Sequence, residues 1–182
     1  MNLLEIIKTR RSIRRYTDTP VDDKSINIVI EAARWAPSCA NTQCCRFIVV
    51  KNEETRSKLA ETLIPENPSI RAVRQAPVVI VSCAELGKSG FYEGKPTSDK
   101  GDWYMFDVAL ATQNLTLAAH SLGLGTGHIS AFDAQKVAQI LKVPQGVAVV
   151  EIIPLGYPEK VGKAPPRKEL SEIVFYEAYG QS

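Results

Sequence analysis

The chain has 182 residues, of which 45% are hydrophobic and 23% charged, and its 22 basic and 20 acidic residues give a formal net charge of +2. This composition is typical of a soluble globular protein and predicts a single domain over residues 1–182. The near balance of charge argues against a dedicated nucleic-acid binder. No predicted helix is long and apolar enough to cross a bilayer, and no secretory signal pattern is visible, so a cytoplasmic location is predicted.

The first predicted element is a short helix over residues 2–8, which precedes an arginine segment at residues 10–16 with the sequence RRSIRRY. If this segment is extended, its side chains alternate, so that Arg10, Ser12 and Arg14 point one way. Guanidinium forks fit phosphate or carboxylate. The segment therefore predicts a binding site for the phosphate group of one ligand. A solvated basic run, or a module that binds nucleic acid or another polyanion, is the alternative.

Predicted helices and strands alternate through the rest of the chain. Apolar positions three and four residues apart, with capping residues such as Asp22, Asn52 and Asp133, indicate helices, and short apolar runs indicate strands. The predicted helices cover about residues 22–35, 53–63, 103–122 and 133–141, and the predicted strands cover residues 47–50, 77–83 and 147–154. This order predicts an α+β sandwich in which helices pack against a central sheet.

Two of these elements carry further predictions. The strand at residues 77–83 is apolar on both faces, which predicts a central strand that is covered on both sides. The helix at residues 103–122 is apolar nearly all round, which predicts a buried helix. After it, Gly123 is expected to end the helix, and Gly125 and Gly127 to form a turn into a strand, because their spacing does not match the dinucleotide-binding fingerprint.

Two of the segments that lie outside the predicted helices and strands carry further predictions. Residues 85–101 are rich in Gly, Lys, Ser and Pro, which predicts a mobile surface loop that could act as a lid. Residues 155–167 are rich in proline and lysine, and residues 170–179 are too apolar for a free tail. The end of the chain is therefore expected to pack against another surface.

Cysteine and histidine usage argues against a metal site. Cys39, Cys44, Cys45 and Cys83 form no CxxC pair, and the chain has 2 histidines, one of which, His128, follows the glycine turn and is a candidate site residue. The cysteines are expected to be small, mostly buried apolar residues. The sequence has no Walker loop, HExxH or GxSxG motif. An enzyme of this sequence would therefore depend on a bound cofactor for its chemistry.

Four segments, taken together, resemble the FMN-dependent nitroreductase family: residues 10–16, 36–43, 122–133 and 154–158, with Arg167 beyond them. The resemblance implies a three-layer α+β sandwich with a mostly antiparallel central sheet, and an intertwined homodimer with FMN at its interface. It also implies hydride transfer from NADH or NADPH to FMN, and then to a nitroaromatic, quinone or other flat acceptor, by a ping-pong mechanism. A flavin-binding or flavin-cleaving relative without nitroreductase turnover is the alternative within the family.

The resemblance also implies the cofactor-binding residues. Those expected to hold the FMN phosphate are Arg10, Ser12 and Arg167, with Arg11 beside them and Arg14 near the pyrimidine edge of the flavin. Those expected to reach the flavin from the partner subunit are Pro37, Ser38 and Asn41, with Cys39 where serine is common and Gln43 nearby. Those expected around the flavin ring are His128, Ile129 and Ser130. The backbone N–H of Ser130 is expected to face the N5 atom of the flavin, and Gly156 is expected to let the backbone approach the cofactor closely. No side chain is assigned as catalytic, and the arm at about residues 155–182 is expected to pack on the partner.

Overall fold

The protein is described by a computed structural model that covers residues 2–181. These residues form the helices α1 (Leu3–Thr9), α2 (Asp23–Arg34), α3 (Glu53–Ala60), α4 (Ile70–Gln75), α5 (Tyr104–Ser121) and α6 (Ala134–Leu141). They also form the strands β1 (Cys45–Val50), β2 (Val78–Glu85), β3 (Phe91–Tyr92), β4 (Lys95–Pro96), β5 (Gly125–Thr126) and β6 (Val147–Gly156). Short 3-10 turns occur at Cys39–Asn41 and Leu170–Glu172.

The main sheet has four strands in the order β1-β2-β6-β5, and each neighbouring pair is antiparallel. The prediction of an antiparallel central sheet is therefore confirmed. β2 lies between β1 and β6, and its first seven residues are all buried. A strand that is apolar on both faces needs helices on both sides of the sheet, and the structure supplies them.

Two hydrophobic cores lie on opposite faces of the sheet, because alternate side chains of a strand point in opposite directions. Ile80 of β2 packs in the core that α2 and α5 cover. Its neighbours Val79 and Val81 pack in the other core, which α3, α4 and α6 cover. These two cores give the three-layer sandwich that the sequence predicted.

The predicted helix starts are confirmed by their capping bonds. The side chains of Asp22, Asn52 and Asp133 each accept a hydrogen bond from the backbone N–H three residues later, at 2.8, 2.9 and 3.0 Å. Each bond satisfies a donor that the first turn of the helix leaves unpaired. At the other end of α5, Gly123 adopts a φ of +78° and ends the helix, as expected.

The prediction was wrong at the end of α3 and missed the helix that follows it. α3 ends at Ala60 rather than at Leu63, and the stretch before β2, where no helix was predicted, contains the six-residue helix α4. α4 is too short to show helical periodicity, and its first residue follows Ser69, whose side chain makes no capping bond. Packing against α3, rather than local sequence, accounts for this helix.

The segment at residues 85–101, predicted to be a mobile loop, contains the two-stranded β3-β4 hairpin. Hydrogen bonds hold its base: the Gly87 N–H donates to Asp102 Oδ2 at 2.7 Å, and the Trp103 N–H donates to the Ser89 carbonyl at 3.0 Å. The segment is therefore folded against the start of α5. Its movement as a lid stays a prediction.

Large apolar residues are exposed at several places in residues 2–181, including α5 and the C-terminal arm. α5 buries Leu115 against the sheet, but Met105 and Phe106 on its other side are 55% and 53% exposed, so the prediction of an entirely buried helix was wrong for this side. In the C-terminal arm, Leu170 and Tyr179 are 73% and 93% exposed. Where such residues form a contiguous patch, they are typical of an interface. No helix within residues 2–181 combines the length and hydropathy that a bilayer crossing requires.

Candidate functional site

The arginine segment is extended and is attached to the end of the sheet. Ile13 and Tyr16 point into the core, where they are 4% and 3% exposed. The Ile13 N–H donates to the Thr126 carbonyl at 2.8 Å, and Ser12 forms a parallel bridge with Thr126. Gly125 allows this close approach, because a Cβ there would lie 2.5 Å from Ile13 Cγ1. The segment is therefore fixed with its polar side chains turned away from the core.

The polar side of the arginine segment lines a cleft of about 280 Å³, which part of the C-terminal arm completes. We call it the basic cleft. Its lining residues are Arg10, Arg11, Ser12, Arg14, Gly162, Lys163, Pro165 and Arg167. The structure thus brings together all the side chains predicted to hold a phosphate. It also places Arg11 in the cleft, although alternation along an ideal strand predicts the opposite side.

The cations of the basic cleft have no acidic partner. Within residues 2–181 no carboxylate oxygen lies within 4.0 Å of Arg10, Arg11, Arg14, Lys163 or Arg167, since the ion pairs involve other residues. Burial, followed by the charges of Arg11 and Arg167, lowers the pKa of the Arg10 guanidinium. Such a cluster of like charges repels itself, so an anion bound between them would stabilise it.

Arg10 also has an unused hydrogen-bond donor. Its Nη1 atom is buried and has no hydrogen-bond partner within the described residues. Buried donors in folded proteins are nearly always paired, and a phosphate offers the acceptor oxygens that a guanidinium fits. Arg11 differs, because its Nη1 donates to the carbonyls of Lys8 and Arg10, both at 2.7 Å. The residues present therefore fit a phosphate, and Arg10 brings an unpaired donor to the basic cleft.

The loop between α2 and β1 carries the second set of predicted site residues. Pro37, Ser38 and Gln43 line a crevice of about 170 Å³. Pro37, Ser38 and Cys39 also line an apolar groove of about 550 Å³, which Phe106 of α5 borders. None of these residues, nor the exposed Asn41, lines the basic cleft in the part of the chain that the structure describes. Their predicted approach to the flavin of a partner subunit stays a prediction.

The third set of predicted residues follows β5. His128 is exposed, and its Nδ1 lies 2.7 Å from Glu151 Oε2. Ile129 exchanges two backbone hydrogen bonds with Ile152, at 3.1 and 3.0 Å, and its side chain lies in the core. The side chain of Ser130 is exposed. The structure therefore gives Ile129 a packing role, and its contact with a flavin ring stays a prediction.

Gly156 lies at the end of β6, where the sheet meets the arginine segment. A Cβ at this position would come within 2.6 Å of Pro77 Cδ and 3.0 Å of Tyr16 Cδ1. Gly156 is therefore required by the packing of Tyr16 beneath the arginine segment. Its predicted approach to a cofactor stays a prediction.

Sequence reasoning missed three residues of this region. Lys163 lines the basic cleft, Glu151 pairs with His128, and Asp107 borders the loop after α2. Glu151 and Asp107 are only 8% and 1% exposed. The sequence does contain a signal for these two residues, because each is a single acidic residue within an apolar strand or helix. Acids are rarely buried without a partner, so such a residue indicates a buried polar contact.

Comparison with known proteins agrees with this geometry. A family model described as "Nitroreductase family" matches residues 7–157. An FMN reductase (NAD(P)H) from Bacillus subtilis is 31% identical over 193 residues, covering 96% of this chain and 74% of that protein. A nitroreductase family protein from Clostridium difficile 630 superposes with a TM-score of 0.84 at 28% identity, covering 98% of this chain and 99% of that chain. An FMN-dependent nitroreductase from Clostridium difficile R20291 has a TM-score of 0.81 at 26% identity, covering 97% and 99%.

Proposed function

This chain belongs to the nitroreductase family, and from that premise we propose that it is an FMN-dependent NAD(P)H oxidoreductase. When bound, FMN supplies the redox chemistry, in which a hydride from NADH or NADPH passes on to a nitroaromatic, quinone or other flat acceptor in a ping-pong cycle. The protein provides the binding and the electrostatics. The names of its relatives, which include FMN reductase and FMN-dependent nitroreductase, support this proposal.

The basic cleft is the observation that carries the proposal. Arg10, Ser12 and Arg167 would hold the phosphate, because among residues 2–181 Arg10 has a buried donor without a partner and neither arginine forms an ion pair with an acid. A hydrogen bond to a charged group contributes about 1.5–3 kcal/mol. Two or three such bonds would supply much of the roughly 8 kcal/mol that a micromolar dissociation constant requires. Arg14, at the same cleft, would favour negative charge at the pyrimidine edge of the flavin.

We also propose that the active unit is a homodimer. The outer side of α5 and the C-terminal arm expose apolar residues that a second copy would cover, including Phe106 and Tyr179. Ser38 and Asn41 do not meet the basic cleft of their own chain, so they are available to the flavin of the partner. A site built from two chains needs the dimer for activity.

Anaerobic reductive titration tests the proposed function. We expect the purified protein to be yellow, to bleach on addition of NADH or NADPH, and to regain its colour when a nitroaromatic or quinone is added. Initial rates should give parallel double-reciprocal lines, as a ping-pong cycle requires. Yellow protein that neither nicotinamide reduces would favour a flavin carrier or a flavin-cleaving relative. Colourless protein whose affinity for polyanions falls steeply with salt would contradict the proposal.

A further inference from the structure

The loop after α2 has three residues with left-handed backbone conformations, and two of these conformations are strained. Ala40, Asn41 and Gln43 have φ values of 49°, 54° and 49°, in the left-handed region. Of these residue types only asparagine adopts that region readily. Such a conformation persists where the surrounding structure holds it, and it is common at ligand-binding sites. The 38–43 loop must therefore be held by contacts that outweigh its preference to relax.

Most of the bonds that hold the 38–43 loop are local. The Gln43 N–H donates to Ser38 Oγ at 2.8 Å, and the Asn41 N–H donates to the Ser38 carbonyl at 2.9 Å. Arg46, at the exposed start of β1, donates to the Gln43 carbonyl at 2.8 Å. These bonds shape the loop, but they come from the loop itself and from the strand that follows it.

Asp107 of α5 provides the connection to the rest of the fold. Its carboxylate accepts a hydrogen bond from the Cys39 N–H, at 3.1 Å to Oδ1 and 3.3 Å to Oδ2. It also accepts from the Cys44 thiol, whose Sγ lies 3.5 Å from Oδ2. Burial, with smaller contributions from Cys45 and Asp107, raises the pKa of Cys44 to about 12, so this thiol keeps its proton and can donate it.

Asp107 has no cation beside it. It is 1% exposed, and among the described residues no lysine, arginine or histidine nitrogen lies within 4.0 Å of its carboxylate. Its side-chain bonds go to Cys39 and Cys44, which lie on either side of the strained positions. A buried carboxylate that is satisfied by two donors from one loop holds that loop in place, because opening the loop would leave the charge unpaired.

We propose that Asp107 is a positioning residue that fixes the 38–43 loop in its strained conformation, in which Ser38, Asn41 and Gln43 are presented to a bound ligand. The inference rests on the proposed function for the identity of that ligand, the FMN of the partner subunit. If the loop relaxes, the fraction of protein ready to bind falls, and the apparent dissociation constant rises by the inverse of that fraction.

Three variants of Asp107 and one control test this role. Asp107→Ala removes the acceptor of the Cys39 N–H. Asp107→Ser leaves only a hydroxyl that is one bond shorter and that in a helix bonds to the carbonyl four residues earlier, whereas Asp107→Asn keeps a side-chain oxygen at the position of the carboxylate. Thr112→Val is the control, because Thr112 is equally buried on α5 but bonds to the carbonyl of Val108 in its own helix. Having a serine variant beside the alanine variant keeps the test decisive if one of them fails to fold.

Hydrogen–deuterium exchange without flavin is the first measurement. We expect amides of residues 38–44 to exchange at least about tenfold faster in Asp107→Ala or Asp107→Ser, as expected when a bond to a charged group is lost. Exchange in α5 should be unchanged, and Asp107→Asn and Thr112→Val should resemble the parent. The affinity for FMN should fall in parallel, by about tenfold or more, in Asp107→Ala and Asp107→Ser.

The possible results distinguish a failure of the role proposed for Asp107 from a failure of the proposed function. Folded Asp107→Ala or Asp107→Ser protein whose 38–44 segment exchanges like the parent overturns the role of Asp107, whatever the flavin does. Faster exchange with unchanged FMN affinity also overturns it, because the loop would then not serve the ligand. A parent protein that binds no FMN contradicts the proposed function instead, and the exchange measurement still decides whether Asp107 holds the loop.

Discussion

Replacing Arg10 with alanine is expected to weaken FMN binding by about tenfold to a hundredfold, which corresponds to the loss of roughly 1.5–3 kcal/mol from a hydrogen bond to a charged group. The fold should survive, because within the described part of the chain the Arg10 guanidinium makes no ion pair with an acid and its buried Nη1 has no hydrogen-bond partner. Removing it also relieves the repulsion from Arg11 and Arg167, which adds to burial in lowering the pKa of Arg10. Fluorescence titration of the apoprotein with FMN measures the effect.

Two controls make this prediction specific to phosphate. Riboflavin lacks the phosphate, so its weaker affinity should be nearly the same for the parent and for Arg10→Ala. Arg15→Ala removes the same side chain from an exposed position that does not line the basic cleft, and it should bind FMN like the parent. An equal loss of affinity for FMN and riboflavin in Arg10→Ala would show that Arg10 does not contact the phosphate.

Replacing Ile80 with alanine is expected to lower the free energy of unfolding by about 2–5 kcal/mol, the range for large-to-small changes in a core. Ile80 is 0% exposed in the middle of β2 and packs among residues of α2, α5 and β6. This core cannot collapse easily around a cavity, because the sheet is covered on both faces. Urea denaturation of the parent and the variant, at one protein concentration, measures the change.

Val49 provides the matched control for Ile80. It lies directly opposite Ile80 on β1, but it is 39% exposed. Val49→Ala should therefore cost about 1 kcal/mol or less. Similar losses for the two variants would mean that strand propensity, rather than burial between two layers, determines the stability of this sheet.

Local patterns were sufficient to predict most of the fold. Helices start at Asp22, Asn52 and Asp133 because each side chain accepts a hydrogen bond from the backbone N–H three residues later. Such a bond joins residues that are close in the sequence, so a local pattern can predict it. The central position of β2 followed from its apolar residues on both faces. α4 escaped prediction because its packing against α3, and not its own sequence, stabilises it.

The candidate site was only partly predictable, because its contacts join distant parts of the chain. The resemblance named Arg10 and Arg167, but only the tertiary structure shows Lys163 beside them and the unpaired Nη1 of Arg10. The bond from Cys39 to Asp107 joins two elements that no sequence pattern connects. The exposed side of α5 also differs from the prediction, because helical periodicity does not distinguish a core from an uncovered interface.

The central claim is that the basic cleft holds the FMN phosphate, and a crystal structure of the protein with FMN tests it most directly. We expect the phosphate to lie between Arg10 and Arg167, in contact with Ser12, and the 38–43 loop of the partner subunit to lie against the flavin. Flavin bound elsewhere, with no phosphate in the basic cleft, would contradict the account.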